Sequence, residues 1–294
     1  MKKTLVTGAR GQLGSEFRNL TARRRTFIFT DLVEGDGIYK LDICNYDSVL
    51  AFLKEHNIGT IINCAAYTNV EEAERNERQC MKINCDGVMN LGKAALEVDA
   101  ALIHISTDYV FDGKMRRGGY RENDIPRPLN VYGKSKLKSE IILYKLGVRG
   151  IIIRTSWLYS PYGNNFVKTM YRLGKEKQEI SVVTDQIGSP TYAEDLASAI
   201  LKIMPKVRNM YSEVFHYSNL YPCSWQTLAA WTMVYSKSKC KVKGITSKEY
   251  PQKAKRPAYS YLNKYKFKSH FGIEIPHWKD SLKRCIRRIH KEEL

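Results

Sequence analysis

The sequence predicts an α/β fold, a doubly wound parallel sheet with a smaller C-terminal lobe. Two observations predict this class. Apolar runs rich in branched residues alternate with helical stretches over the N-terminal two thirds of the chain, and a glycine-rich turn directly follows the first run. Runs that are apolar on both faces are typical of strands covered on both sides, so their alternation with helices indicates βαβ units and a parallel sheet.

The predicted elements of this core alternate strictly along the chain. The predicted strands are Thr4–Thr7, Thr26–Thr30, Thr60–Ala65, Ala101–Ser106, Gly150–Thr155 and Ile180–Val183. The predicted helices are Gln12–Arg23, Asp47–Glu55, Gln79–Glu97, Pro128–Lys145 and Asn165–Gly174.

The pattern loosens after about residue 160. Helical periodicity returns in three segments separated by proline-rich and polar stretches: Tyr192–Met204, Trp225–Ser236 and Trp278–His290. We therefore predict a dinucleotide-binding Rossmann core over residues 1–160. Residues 161–294 are predicted to hold the end of the sheet, interleaved with a substrate-binding lobe.

Composition excludes several classes of protein. The longest apolar runs fall short of the ~18 residues that a membrane span needs, and the N-terminus lacks the apolar centre of a signal peptide. The seven cysteines are scattered without a C-x-x-C pair, which argues against a disulfide framework and a zinc site. We therefore expect a cytoplasmic protein with no metal.

The net charge of +18 is spread along the chain and is not collected in a tail. A dispersed basic excess favours a solvated surface over nucleic-acid binding, and it also suits small anionic ligands.

Three glycines open the first predicted helix. Gly8, Gly11 and Gly14 form a G-x-x-G-x-x-G pattern immediately after the first strand. Glycines there allow a tight turn and close approach to a pyrophosphate, which the helix N-terminus also attracts. The turn therefore predicts a dinucleotide site, with these candidate residues: Gly8, Arg10, Gly11, Gln12, Leu13 and Gly14.

The choice between NADH and NADPH stays open at this stage. Asp31 ends the second strand, where a carboxylate accepts hydrogen bonds from the adenosine ribose and favours NAD. Arg10 lies in the glycine turn and suits the 2′-phosphate of NADP. Asp42 and Ile43 are candidates for the adenine pocket, with a plain turn as the alternative.

Small residues end the third strand of the core. Ala65 and Ala66, followed by Tyr67, would let a cofactor lie close over the sheet. Packing against a helix is the alternative explanation for the alanines.

A tyrosine and a lysine one helical turn apart indicate catalysis. Tyr-x-x-x-Lys places a phenol and an ammonium on one helix face, where the cation lowers the pKa of the phenol. The pattern begins at Tyr132, Tyr171 and Tyr235, but only Tyr132 follows a strand ending in Ser-Thr. Tyr132 and Lys136 are therefore the predicted proton-donor pair, and the Thr107 hydroxyl is placed to hold a carbonyl oxygen.

Longer motifs connect the chain with a known family. They are GARGQLG, NCAAYTNVEEAE, STDYVFDG, PLNVYGKSK, RTSWLY, GNNFVKTM, DQIGSPT and AKRPAYS. Through them the sequence resembles the extended short-chain dehydrogenase/reductases, and within these the dTDP-4-dehydrorhamnose reductase family, nearly from end to end.

The resemblance implies a function and a set of site residues. Thr107, Tyr132 and Lys136 would be catalytic, and Lys136 would also bind the nicotinamide ribose. The implied substrate-binding residues are Thr107, Asp108, Tyr109, Trp157, Asn165, Lys168 and Arg256. The implied reaction is NADH- or NADPH-dependent reduction of the 4-keto group of dTDP-4-dehydro-L-rhamnose to dTDP-L-rhamnose.

Several of these residues have a structural alternative. Trp157 would also suit a core position, Asp108 a turn cap, and Lys168 and Arg256 a solvated surface. We expect a nucleotide-sugar ligand, no nucleic acid, no membrane, and a monomer or homodimer.

Two other functions fit the same fold. A dehydratase or epimerase of sugar nucleotides is one, although a dehydratase would carry an acidic residue where Tyr109 follows Asp108. A regulatory subunit without activity is the other, and the intact set of Thr107, Tyr132 and Lys136 argues against it.

Overall fold

The computed structural model describes residues 2–292. Its strands are β1 (Lys3–Thr7), β2 (Phe27–Asp31), β3 (Ile38–Lys40), β4 (Ile58–Asn63), β5 (Ala101–Thr107), β6 (Gly150–Thr155), β7 (Leu158–Tyr159), β8 (Glu179–Val183), β9 (Ile187–Gly188), β10 (Thr191–Tyr192), β11 (Glu213–His216), β12 (Cys223–Ser224) and β13 (Lys241–Ile245).

The helices are α1 (Gln12–Thr21), α2 (Tyr46–Glu55), α3 (Val70–Ala73), α4 (Glu77–Met81), α5 (Gly87–Glu97), α6 (Val131–Leu146), α7 (Phe166–Glu176), α8 (Ala193–Ile203), α9 (Trp225–Ser236), α10 (Tyr265–Phe271) and α11 (Trp278–Glu292). In the described part of the chain, none of these helices has the length and apolar character needed to cross a membrane.

Seven parallel strands form the main sheet in the order β11-β6-β5-β4-β1-β2-β3. The strand order reverses at β1, as in doubly wound folds, so the carboxyl ends of β1 and β4 flank a crevice. The predicted fold class is confirmed. Two strands of this sheet, β3 and β11, were not predicted from the sequence, because each is only a few residues long.

Apolar layers cover both faces of the sheet. One layer packs Phe17 and Ile200 of helices α1 and α8 against Ile103 and Ile153. The opposite layer joins residues of α2, α5 and α6 to the other face of the same strands. Burial on both faces explains why these strands read as continuous apolar runs.

Many element ends lie one or two residues from their predicted positions, and three predicted elements differ in other ways as well. Helix α6 begins at Val131 instead of Pro128, because the Asn130 side chain caps it by accepting from the Gly133 amide at 2.8 Å. The predicted helix 79–97 is α4 and α5 joined by a π-helical turn at Lys82–Asp86. The strand predicted at 180–183 pairs with β13 outside the main sheet.

The smaller lobe has its own, largely aromatic core. It buries Tyr159, Tyr171 and Tyr192 against Trp278 of α11. Because β11 returns from this half of the chain to the edge of the main sheet, the two parts are interleaved in sequence. The boundary at residue 160 stays a prediction.

Candidate active site

A cleft of about 800 Å³ opens at the carboxyl ends of the central strands. The core contributes the ends of β1, β2, β4, β5 and β6, and the smaller lobe closes the other side. In proteins with an open parallel sheet, ligands bind at the carboxyl ends of the strands, where this cleft lies. The lining includes these predicted residues: Gly8, Gly11, Gln12, Leu13, Gly14, Asp31, Asp42, Ile43, Ala65, Ala66, Thr107, Asp108, Tyr109, Tyr132, Lys136, Trp157, Asn165 and Arg256.

The glycine turn is packed too closely to hold side chains. Gly8 has a left-handed φ of +65°, and a Cβ there would lie 2.7 Å from the Ala65 nitrogen. A Cβ on Gly14 would lie 2.6 Å from Cα of Ala9 and would overlap the Gly8 carbonyl oxygen. At the N-cap of α1, Gly11 provides no side-chain cap, which leaves the first helix amides to a ligand. This cradle fits a dinucleotide pyrophosphate.

Asp31 and Arg10 have different positions at the adenosine end. The Asp31 carboxylate lines the cleft and accepts from the backbone amides of Arg10 at 2.9 Å and Leu32 at 2.8 Å. The Arg10 guanidinium donates to the carbonyls of Val33 and Glu34, both at 3.2 Å. Arg10 is outside the lining, and its predicted contact with the cofactor stays a prediction.

Tyr67 also lies outside the lining of the cleft. Its amide donates to Asn84 Oδ1 at 2.8 Å, and its carbonyl accepts from Asn84 Nδ2 at 3.1 Å. Tyr67 therefore anchors the segment that follows β4, while Ala65 and Ala66 form the floor of the cleft.

The three predicted catalytic side chains meet in the cleft. The Thr107 hydroxyl lies close enough to the Tyr132 phenol to lower the pKa of this phenol. Thr107 Oγ1 also donates to Asp108 Oδ1 at 3.1 Å, and the Tyr109 ring packs edge-on against Tyr132, with centroids 5.8 Å apart. A phenol and an alcohol in contact can both reach a single carbonyl oxygen.

The expected lowering of the pKa of Tyr132 is wrong for this environment. Burial raises the pKa of the phenol above its ordinary value, and the Thr107 hydrogen bond opposes this without overcoming it. Burial also lowers the pKa of Lys136 to about 8. The ammonium donates to the Ile105 carbonyl at 2.6 Å, so it is engaged by the strand beneath the helix. Tyr132 is thus a protonated acid near neutral pH.

Asp108 is a buried carboxyl with an altered acidity. Burial raises the pKa of Asp108 to about 7, against hydrogen bonds from Ser260 and Thr107 that favour the anion. Its Oδ2 is buried and has no hydrogen-bond partner within residues 2–292. Such a carboxyl can donate to or accept from a sugar hydroxyl.

Trp157 forms part of the wall between the two lobes. Its backbone is left-handed with φ 49°, and its ring stacks on Trp225. A Cβ on Gly188 would lie 2.5 Å from the same ring, so the indole also packs on the Gly188 backbone. Trp157 therefore lines the cleft with one face covered by Trp225, and its contact with the substrate stays a prediction.

The remaining three predicted substrate residues differ in their positions. Asn165 lines the cleft but caps α7, accepting from the Lys168 amide at 3.0 Å and donating to the Ser160 carbonyl at 2.8 Å. The side chain of Lys168 lies outside the lining. Arg256 lines the cleft, contacts Glu71 at 3.4 Å, and has a buried Nε without a partner among the described residues. An unpaired guanidinium donor suits an anionic ligand.

Sequence reasoning missed several lining residues. Among them are Thr7, Leu32, Leu41, Cys44, Cys64, Thr68, Val70, Gln79, Lys82, Phe166, Trp225 and Leu228. Most are apolar or small and carry no chemical signature. Trp225 had one available signal, since Ser224 before it is a typical helix N-cap, which places the tryptophan at an exposed helix start.

Within residues 2–292, the structure has no group of three or more His, Cys, Asp or Glu side chains arranged to hold a metal ion.

Comparison with known proteins agrees with this geometry. The family described as RmlD substrate binding domain matches residues 1–291. A dTDP-4-dehydrorhamnose reductase of Aggregatibacter actinomycetemcomitans is 40% identical, covering 96% of this chain and 98% of the relative.

Solved structures give the same result. A dTDP-4-dehydrorhamnose reductase ortholog from Clostridium acetobutylicum is 39% identical with a TM-score of 0.91, over 98% of this chain and 99% of the other. The Bacillus anthracis enzyme in complex with NADP is 39% identical with a TM-score of 0.90, over 98% and 100%.

The fold and the site together define a nicotinamide-dependent oxidoreductase of the short-chain dehydrogenase/reductase type. Within that class, the chain belongs to the dTDP-4-dehydrorhamnose reductase family.

Proposed function

We propose that this protein reduces the 4-keto group of dTDP-4-dehydro-L-rhamnose with NADH or NADPH, giving dTDP-L-rhamnose. One observation carries the proposal: Thr107, Tyr132 and the buried Lys136 line the same cleft as the glycine turn. The names of the relatives support this substrate, and the NADP complex of the Bacillus anthracis enzyme supports the cofactor class.

The cofactor would be held along the carboxyl ends of the strands. The turn at Gly8, Gly11 and Gly14 would take the pyrophosphate, and Asp31 would face the adenosine ribose. The reduced nicotinamide supplies a hydride when bound. Lys136 lies at the inner end of this track and would hold the nicotinamide ribose.

Tyr132 is the residue that would donate the proton. Its pKa is raised by burial, so the phenol is protonated near neutral pH and can give its proton to the keto oxygen as negative charge develops there. The Thr107 hydroxyl would turn its single proton from Asp108 Oδ1 to the same oxygen and donate a second hydrogen bond there. The Lys136 ammonium then favours the phenolate that remains.

The charged end of the nucleotide sugar requires basic groups. Arg256 provides a buried, unpaired Nε and approaches Tyr109 closely enough to oppose the burial that raises the pKa of this tyrosine to about 12. Asp108 and Tyr109 would contact the deoxysugar, and Arg256 the diphosphate.

The test compares two tyrosine variants. Tyr132→Phe keeps the ring and removes the acid, so we expect normal folding and NADPH binding with turnover reduced by roughly 10²- to 10⁴-fold. Tyr171→Phe is the matched control, because Tyr171 starts another Tyr-x-x-x-K but packs in the smaller lobe away from the cleft. Absorbance at the nicotinamide band, with a panel of 4-keto sugar nucleotides, measures the rate. Wild-type turnover in Tyr132→Phe would contradict the mechanism.

We also infer a cytoplasmic location and a monomer or homodimer. The seven cysteines are free thiols, which suits a reducing compartment. Sedimentation at several concentrations would measure the oligomeric state.

A further inference from the structure

A row of buried polar side chains crosses three strands beneath the catalytic helix α6. The parallel register aligns Thr7 with Asn63, and Asn63 with His104. Thr7 Oγ1 donates to Asn63 Oδ1 at 2.7 Å, and Asn63 Nδ2 lies 3.1 Å from His104 Nδ1. All three side chains are buried, and His104 is completely inaccessible. The mechanism proposed above uses none of them.

The backbone determines the orientation of the Asn63 amide. The Ala65 amide donates to Asn63 Oδ1 at 3.2 Å, so this atom must be the oxygen, and the NH₂ group faces His104. An NH₂ group can only donate, and therefore His104 Nδ1 accepts and carries no proton. Burial and the nearby Lys136 charge hold the pKa of His104 well below its ordinary value, so the ring is neutral. Its single proton is on Nε2.

The Nε2 end of the ring meets the catalytic helix. It lies 3.0 Å from Ser139 Oγ and 3.2 Å from Lys136 Nζ. The Ser139 hydroxyl donates to the Lys136 carbonyl at 2.6 Å, so its oxygen is left to accept from Nε2–H. Nε2 therefore has no lone pair for the ammonium, which donates to the Ile105 carbonyl at 2.6 Å.

We propose that His104 is a positioning residue that acts through Lys136. Held as the Nε2–H tautomer by Asn63, the ring ties strand β5 to α6 through Ser139 and keeps the Lys136 ammonium on the Ile105 carbonyl. The Asn63 amide in the middle of the row does not pass protons, so the row fixes geometry and does not relay a proton. The consequence for catalysis rests on the proposed function.

The other groups around Lys136 agree with this role. Glu140, one turn along α6, is the nearest carboxylate, and it is paired with Arg154 at 2.6 Å. The remaining titratable neighbours are the thiols of three cysteines, whose pKa values are raised by burial: Cys64, Cys80 and Cys85. Because these thiols are neutral, the position of the ammonium depends on its hydrogen bond with the Ile105 carbonyl of β5.

Two variants of His104 distinguish the contacts of Nε2 from those of Nδ1. In His104→Gln the side-chain amide reaches the place of Nε2 and can donate to Ser139. In His104→Asn the shorter amide stays near the place of Nδ1, so it loses the hydrogen bond to Ser139 and no longer packs against Lys136. We expect H104Q to keep most of the wild-type kcat. We expect H104N to lose about tenfold in kcat, with a changed basic limb of the pH–rate profile and a sugar-nucleotide KM within twofold.

A measurement without substrate tests the arrangement itself. Nitrogen-15 NMR of the labelled protein should show one histidine as the neutral Nε2–H tautomer throughout the pH range of the folded state, and this signal should disappear in H104N and H104Q. An Nδ1–H tautomer, or a titrating His104, would overturn the proposal.

The kinetic outcomes are equally decisive. H104N and H104Q with the same kcat, whether normal or equally reduced, would show that His104 only fills space. If the wild-type protein reduced no keto sugar, the proposed function would fail. The proposal for His104 would still be tested by the NMR measurement and by NADPH binding to the two variants, since both report on the position of Lys136.

Discussion

Trp157 and Trp225 stack face to face, with ring centroids 3.6 Å apart and planes inclined by 7°. Trp157 follows β6 of the core, and Trp225 begins α9 of the smaller lobe. The stack therefore joins the two sides of the cleft at one point. It also stabilises Trp157 in a left-handed backbone conformation that is unfavourable for a residue with a side chain.

Removing the second ring should loosen this wall. Trp225→Ala loses an aromatic contact worth about 0.5–1.5 kcal/mol, and Trp157 gains freedom to move into the cleft. We expect the KM for the nucleotide sugar to rise roughly two- to tenfold, with a smaller effect on kcat.

The same helix offers a control for this variant. Trp231 also lies on α9 but packs against Tyr235 and Lys279, away from the cleft. Steady-state kinetics of Trp225→Ala and Trp231→Ala should therefore differ in KM. An equal rise in both variants would mean that the helix as a whole, and not the stack, supports the site.

The last two glycines of the turn, Gly11 and Gly14, should respond differently to alanine. Gly14→Ala forces a methyl group into the Gly8 carbonyl, an overpacking that costs about 3 kcal/mol. Gly11→Ala meets the same carbonyl oxygen at 3.2 Å, a contact that a small shift relieves. We expect a lower Tm for Gly14→Ala, and for Gly11→Ala a nearly normal Tm with weaker NADPH binding. Thermal unfolding and fluorescence titration measure the two effects, and an equal Tm in both variants would contradict the packing argument.

The Arg154–Glu140 ion pair is almost fully buried, with 4% and 5% of the two side chains exposed. Glu140→Gln leaves the guanidinium buried without its counter-charge, which should lower the free energy of unfolding by about 3–5 kcal/mol. The exposed pair of Arg172 and Glu176 is the control, with 62% and 49% exposed.

Loss of this surface pair should lower the free energy of unfolding much less than loss of the buried Arg154–Glu140 pair. Arg172→Ala is expected to change the free energy of unfolding by less than about 1 kcal/mol. Urea denaturation of both variants tests the contrast, and similar losses in the two would show that burial does not determine the strength of the inner pair.

The Asp108 carboxyl should make stability depend on pH. Burial raises the pKa of Asp108 from 3.8 to about 7 in the folded state, so the folded protein binds the proton more tightly than the unfolded chain. The resulting stability is present below pH 3.8 and is lost as pH rises to about 7. Asp108→Asn removes this dependence while keeping a hydrogen-bond acceptor for Thr107.

We therefore expect Asp108→Asn to gain stability over the wild type as pH rises. The gain should grow by on the order of 1.4 kcal/mol per pH unit between pH 4 and pH 7 and stay constant above pH 7. Urea unfolding at a series of pH values measures it. A difference that is independent of pH would show that Asp108 is ionised across the whole range.

Local sequence patterns were sufficient to predict much of the fold and part of the candidate active site. The turn at Gly8, Gly11 and Gly14 is recognisable because its function requires glycine within one short segment. Tyr132 and Lys136 are recognisable because a helix places residues four apart on one face. The strands of the central sheet are recognisable because burial on both faces leaves almost no polar residue in them.

Contacts between distant segments were decided only by the tertiary structure. Three such features depend on strand register and on which helix covers which face of the sheet. They are the stacking of Trp225 on Trp157, the turning of the Arg10 guanidinium away from the cleft, and the place of His104 under Lys136. Register and packing are set by the sum of many weak contacts across the core, and no single segment of sequence contains them. The sequence by itself determined the chemistry available to this protein, whereas the tertiary structure decided which side chains meet to carry it out.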